Sequence, residues 1–374
     1  MAAACSIAAV AVVTCVAQSV TAGVVVTAVG RQEGRIELRN GGIAAGATAV
    51  EWADVLIVLN DARPGGDAQP EMLHLINGES WAGSITRLVD GRFAIRTVFF
   101  GDREVAGSGV RAVDFRPGLT DVDPGDAKML YMAKGNPVAG SLLWIEADRV
   151  AMETPLGVLA LTRKEVNRIV YGPAMTGTGA IVDGDEVALA DGSVLAGEIT
   201  PAKEGIILRH QTLGRLVLKP SEWLWVRRHP ASVSYLGDAS PESVQATPLI
   251  RRAPPAPTVV SARSVKTGDA GFVKRLVVWP GCSAAYRLPG TAGKQVRVSA
   301  VAGLAPGARG EVCLRFMAGK TIAFERVFRA GEAGRSVVAF EAEGGSQLLI
   351  DVEYGRDLEF PCSVTVDDAV AVVM

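Results

Sequence analysis

The chain has 374 residues and a mass of 39.1 kDa, with 49% hydrophobic and 21% charged residues, 42 Gly and 19 Pro. That is enough for two to four packed domains and too apolar for a disordered chain. A formal net charge of -2 and a pI near 6.0 argue against the basic face that a nucleic-acid partner needs, so no nucleic acid is expected as partner. The adjacent pairs Arg227-Arg228 and Arg251-Arg252 read as solvated surface.

Taken in chain order, the first charged residue is Arg31, and Ala2 to Val16 is almost wholly apolar. That length suits a signal-peptide core and is short for a membrane span. Val20-Thr21-Ala22 offers a cleavage site that leaves Gly23 first, although no Lys or Arg precedes the apolar run. Residues 1–22 are therefore expected to be a signal peptide. The expected location is secreted, or periplasmic and cell-envelope, with membrane attachment only if the segment stays uncleaved.

A repeat follows. Gly135, Ala139-Gly140 and Leu156-Gly157 recur downstream, at one constant ungapped offset, as Gly192, Ala196-Gly197 and Leu213-Gly214. The same offset taken upstream lands on Gly78 and Ala82-Gly83. A weaker copy runs from Gly30 and Gly34 to Val55 and Val58. Such spacing predicts small units set in a row, each burying surface on its neighbours. Glu186–Ala190, Val194–Thr200, Ile206–His210, Arg215–Lys219 and Trp223–Arg227 read as five short strands broken by Gly and Pro. The same plan fits 71–115 and 133–171. Five short strands suit a small closed barrel. Two repeats are expected in 24–118 and two more in 133–230, and the units resemble the SH3-like or Sm-like barrels found in tandem in secreted bacterial proteins. Trp81, Trp144, Trp223 and Trp225 read as packing residues.

From Asp238 to about 258 the chain is rich in Pro, Ser and Ala and is expected to be a linker or an extended segment lying over a neighbour. Beyond it, 259–374 holds eight predicted strands: Leu276–Val278, Ala284–Leu288, Gln295–Val301, Gly310–Met317, Thr321–Phe328, Ser336–Glu341, Gln347–Glu353 and Ser363–Val373. Eight strands in so short a stretch point to a jelly-roll β-sandwich. The expected fold class is all-β throughout.

The order Val233-Ser234-Tyr235-Leu236, Ser283 with Tyr286-Arg287-Leu288-Pro289, Val301-Ala302-Gly303-Leu304, Gly310 to Phe316 with Gly319-Lys320, Leu348 to Gly355, and Asp367-Asp368-Ala369 resembles the NPCBM family of carbohydrate-binding modules. The resemblance runs from Val233 to the end of the chain. It implies a galactose-binding-like sandwich with polysaccharide or glycan as partner. The chain departs from the family pattern where a Gly and a His commonly precede the second-strand serine; Trp279-Pro280-Gly281-Cys282 stands there instead. Val366 replaces a frequent tryptophan, and the acidic loop near the end is reduced to Arg356-Asp357-Leu358-Glu359-Phe360.

Catalytic motifs are absent from the sequence. His74, His210 and His229 fall in no metal or triad pattern, and the first two read as structural strand histidines. The pairs Asp183/Asp185 and Asp367/Asp368 carry the right groups for acid/base work or calcium, but read as solvated turn residues. Cys282, Cys313 and Cys362 lack metal-ligand spacing. A Cys282–Cys362 bridge, closing a loop of about 80 residues for roughly 4 kcal/mol, and three buried thiols both fit the sequence. No cofactor is implied, and the chain reads as non-enzymatic. Sugar recognition needs an aromatic face with polar groups beside it, and Trp279, Tyr354, Arg356 and Asp357 are the ligand-binding candidates on loops at strand ends. The alternative is a cell-envelope assembly protein that uses barrel edges for protein partners.

Overall fold

A computed structural model describes residues 21–60, 71–116, 128–172, 184–247, 258–261, 272–332, 334–355 and 362–374. These form strands joined by tight turns and short 3₁₀ segments, with no α-helix among the described residues. The first unit holds β1 (Thr21–Thr27), β2 (Gly30–Arg39), β3 (Gly42–Ala45), β4 (Thr48–Glu51) and β5 (Val55–Asn60). The second holds β6 (Glu71–Leu75), β7 (Ser80–Val89), β8 (Arg92–Thr97), β9 (Gly101–Ala106) and β10 (Val110–Asp114). The third holds β11 (Met129–Met132), β12 (Val138–Ala139), β13 (Ser141–Ile145), β14 (Arg149–Thr154), β15 (Gly157–Thr162) and β16 (Val166–Val170). The fourth holds β17 (Asp185–Leu189), β18 (Val194–Ala202), β19 (Gly205–His210), β20 (Gly214–Leu218) and β21 (Trp223–Arg227).

With β12 and β13 counted as one strand interrupted at Gly140, in each unit the first strand pairs with the second and the last, and a one-turn 3₁₀ segment carries the chain from the fourth strand to the fifth. The repeated glycines explain themselves here. Gly78, Gly135 and Gly192 turn the chain out of the first strand at φ of 90°, 104° and 96°, a region other residues enter with difficulty. Gly83, Gly140 and Gly197 sit where the second strand leaves the first and joins the third. A Cβ on them would lie 2.3 to 2.5 Å from the carbonyl oxygens of Arg96, Glu153 and Arg209.

The expected row of units is not what forms. The last strands pair antiparallel, β5 with β21 and β10 with β16, so the first unit joins the fourth and the second joins the third. A single ladder contact, Ser80 with Val194, links the two pairs through β7 and β18. A fixed sequence offset identifies copies but not spatial neighbours; here the open edge of each fifth strand is closed by another fifth strand. One core, including Val25, Leu73, Phe93, Ile145, Ile169 and Trp223, runs through all four units.

The C-terminal part holds β22 (Val233–Tyr235), β23 (Ser243–Ala246), β24 (Thr258–Ser261), β25 (Lys274–Val278), β26 (Cys282–Arg287), β27 (Gln295–Leu304), β28 (Glu311–Ala318), β29 (Thr321–Arg329), β30 (Ser336–Glu343), β31 (Gln347–Tyr354) and β32 (Val364–Val373). One sheet runs β24-β25-β32-β27-β30, with β22 also on β32; the other runs β23-β26-β31-β28-β29. For the eight strands from β25 onward this is a jelly roll, and all eight coincide with predicted strands. Alternate residues such as Val296, Val298, Phe316, Ile350 and Val364 fill the core between the sheets. β23 falls within the stretch expected to be a linker or an extended segment lying over a neighbour, and it is an edge strand paired with β26. Residues 248–257 of that stretch lie outside the described residues.

A third apolar cluster joins the two parts: Val26, Leu56, Ile57, Ala188 and Trp225 of the barrels meet Tyr235, Val273 and Val370 of the sandwich. At its centre Arg227, 1% exposed, forks onto Glu186 at 2.8 and 3.0 Å and lies 4.6 Å from the Tyr235 ring. The reading of Arg227-Arg228 as solvated surface is therefore corrected: the strand-pairing register directs Arg227 into the joint. Burial pushes the Glu186 carboxyl up, but Arg227 and the His229 contact outweigh it and hold it well below the usual range.

Candidate functional site

The two aromatic candidates stand at the same end of the sandwich. β25, β27 and β30 meet that end at Val278, Leu304 and Ser336; β26, β31, β28 and β29 meet it at Cys282, Tyr354, Glu311 and Arg329. Between β25 and β26 the chain crosses from one sheet to the other through Trp279-Pro280-Gly281-Cys282. The Cys282 amide donates to the Trp279 carbonyl at 3.1 Å and Gly281 has φ 77°, a type II turn with Pro and Gly where that turn requires them. The turn is fixed from both sides: the Gly281 amide donates to Val352 O at 2.7 Å, and the Thr247 amide donates to Gly281 O at 2.7 Å.

Gly281 is also where Tyr354 docks. A Cβ at Gly281 would lie 2.8 Å from Cε2 of the Tyr354 ring and 2.6 Å from Thr247 O. Trp279 and Tyr354, each half-buried, thus flank one turn although they stand far apart in sequence. Further along the same sheet edge, the Gly355 amide donates to Glu311 O at 2.9 Å, and Glu311 pairs with Arg329. Beside it lies a recess of about 70 Å³ lined by Leu304, Arg326, Phe328, Arg329, Glu332 and Gly334. Arg326 stacks over Phe328 at 5.5 Å. This arginine-bearing side of the site was missed from sequence, because strand order alone carries β29 to the same end as Trp279. Arg356 and Asp357 lie outside the described residues.

Asp185, Asp367 and Asp368 are not solvated turn residues. Asp367, fully buried in the central strand β32, takes Arg275 at 2.5 and 2.9 Å and is also paired with Arg335. Asp368 accepts the amides of Val273 and Lys274 at 2.8 and 2.9 Å. Burial raises its carboxyl above the ordinary range despite those amides. Asp185 accepts the His229 amide at 3.0 Å and pairs with Arg228, while Asp183 lies outside the described residues. Among the described residues no group of three or more His, Cys, Asp or Glu is placed to hold a metal.

The expected alternative of a Cys282–Cys362 bridge is not formed: Cys282 and Cys362 are buried thiols, and Cys313 is a partly exposed one. Cys282 enters the core from β26 in one sheet and Cys362 from beside β32 in the other, and both pack there as small apolar residues. The histidines are structural. His210 Nδ1 accepts the Thr212 and Leu213 amides at 3.0 Å each, so its Nε2–H donates to Glu79 at 2.9 Å. His74 lies 3.0 Å from Ser80 Oγ and 3.0 Å from Asp114. This nucleophile–His–acid order arises from residues scattered in sequence. Ser80 is only 2% exposed, however, and Asp114 is held by a forked Arg168 contact across β10 and β16. It fastens the second unit to the third.

No protein-family model matches the chain, and no curated protein matches it. Among solved structures, it is similar to the carbohydrate-binding module CBM51 of a Clostridium perfringens GH95 protein in complex with methyl-galactose. That match is 14% identical, covers 37% of this chain and 99% of that one, and has a TM-score of 0.30. It is also similar to the tandem CBM51 modules of a family 98 glycoside hydrolase from Streptococcus pneumoniae, with 11% identity, coverage of 83% and 90%, and a TM-score of 0.29. A third is a CBM6 module from Clostridium stercorarium in complex with cellobiose, with 12% identity, coverage of 38% and 92%, and a TM-score of 0.23. At these scores the likeness carries no inference about ligand. No helix among the described residues is long and apolar enough to cross a membrane.

Proposed function

We propose that the protein is a non-catalytic, extracytoplasmic polysaccharide-binding protein whose glycan site is the Trp279–Tyr354 end of the sandwich. The observation that supports this reading is the Gly281 turn, which opens with the half-buried Trp279 and packs against the ring of the half-buried Tyr354, at the sandwich end that also holds Glu311 and Arg329. Aromatic faces stack on sugar rings, and adjacent charged groups bond hydroxyls. The turn begins one short strand beyond Val273, which packs on the barrels; at strand rise that is about 20 Å away. Export to the cell envelope rests on the apolar leader, and the resemblance to the NPCBM modules agrees with both parts of the reading.

The test uses the chain with barrels and sandwich together, because Tyr235, Val273 and Val370 would be bared in an isolated sandwich. Screened on a broad glycan array, it should show saturable binding to one sugar class, weakened about tenfold by Trp279→Ala or Tyr354→Ala, the order of one aromatic contact. A folded protein that binds no glycan, or alanine variants that bind as well as wild type, would defeat the proposal.

A further inference from the structure

The fourth strand of each unit is an edge, and three of the four are guarded by charge. β4 carries Glu51, β9 carries Asp102, Arg103 and Glu104, and β20 carries Arg215. β15, Gly-Val-Leu-Ala-Leu-Thr, carries none. Among the described residues its ladder partner is β14 alone. Leu156 at the tip of this hairpin is 100% exposed and Val158 is 67% exposed. The side chains of Trp144, Ala151 and Ala160 lie in one row across β13, β14 and β15. An uncharged, apolar edge is what soluble proteins ordinarily avoid.

The repeat supplies its own control. Leu213, the counterpart of Leu156 in the next copy, packs against the shared core, and its amide is held by His210, whose other nitrogen holds Glu79 of the second unit. The fourth unit's tip leucine is thus packed within the chain and the third unit's is bare. The chain also shows how its units prefer to join: like strands pair antiparallel, β5 with β21 and β10 with β16.

We infer that β15 is a self-association edge, pairing antiparallel with β15 of a second copy of this chain about a twofold axis. With no charge on the strand, its own copy meets no like-charge repulsion, whereas Asp102-Arg103-Glu104 on β9 or Arg215 on β20 guards the other units. The dimer extends two sheets into one and carries two sandwiches per particle, so a repeating polymer would be held bivalently. The pairing does not depend on the identity of the ligand.

The test is the solution mass of the whole chain at micromolar concentration, by sedimentation or light scattering. Wild type should run at twice the monomer mass. Ala160→Lys and, separately, Val158→Lys should return it to monomer with an unchanged far-UV spectrum. Val217→Lys, at the matching position of β20, should leave the dimer intact. A monomeric wild type, or a dimer that survives either lysine on β15 in folded protein, would overturn the inference.

Discussion

Two buried aspartates show that identical side chains take opposite roles according to what faces them. Burial pushes the Asp114 carboxyl up, but hydrogen bonds from Arg168 and His74 outweigh it, so it lies below the ordinary value. Its contribution to stability is present above the unfolded value of about 3.9 and is lost as pH falls through the lower folded value. Asp114→Asn should therefore cost about 3–5 kcal/mol near neutrality, since it leaves Arg168 buried without its counter-charge. In urea melts the gap to wild type should close below about pH 4. Asp368 is raised by burial despite two backbone amides. Its contribution is complete below the unfolded value and is lost as pH rises through the higher folded one. Asp368→Asn, which keeps the accepting oxygen, should raise neutral-pH stability, with the gain vanishing in acid. Neither sign was legible in sequence: Asp367-Asp368 looked like a turn because burial is set by β32 lying between β25 and β27, a fact of sheet order.

At the scale of the element, the glycines were the legible part. The repeated Ala-Gly marks the crossing of the second strand, and the eight predicted sandwich strands all form. Gly197→Ala should cost about 1–3 kcal/mol in the same melts, as overpacking does, because its Cβ would sit 2.4 Å from Arg209 O. A substitution with no measurable cost would mean that the strand crossing is looser than described. Gly281→Ala acts differently. It forces a side chain into a turn at φ 77° and against the Tyr354 ring, so it should weaken glycan binding as much as Tyr354→Ala while the rest of the sandwich stays folded. Titration of the two variants against the same glycan compares them directly. The placement of Tyr354 against the turn that Trp279 opens was only half legible: each residue stood out as a loop aromatic, but bringing the turn to Tyr354 needs β26 and β31 to be neighbours.

Across the whole molecule, the constant repeat offset revealed the copies without their partners, because pairing between like edges reaches across the chain and leaves no periodic trace. The same is true of the joint between barrels and sandwich. Arg227, Glu186 and Tyr235 come from separate segments, and their burial is visible only once β22 lies on β32. The barrels and the sandwich thus share one apolar joint at the start of β25, and the Gly281 turn lies beyond the other end of that strand. The most direct measurement of the glycan site is a calorimetric isotherm of the chain with barrels and sandwich against the glycan it retains, run beside Trp279→Ala. Wild type should show one site per chain and the variant an affinity about tenfold lower, with an unchanged thermal midpoint. An unaltered isotherm for Trp279→Ala would contradict it and place the ligand elsewhere on the molecule.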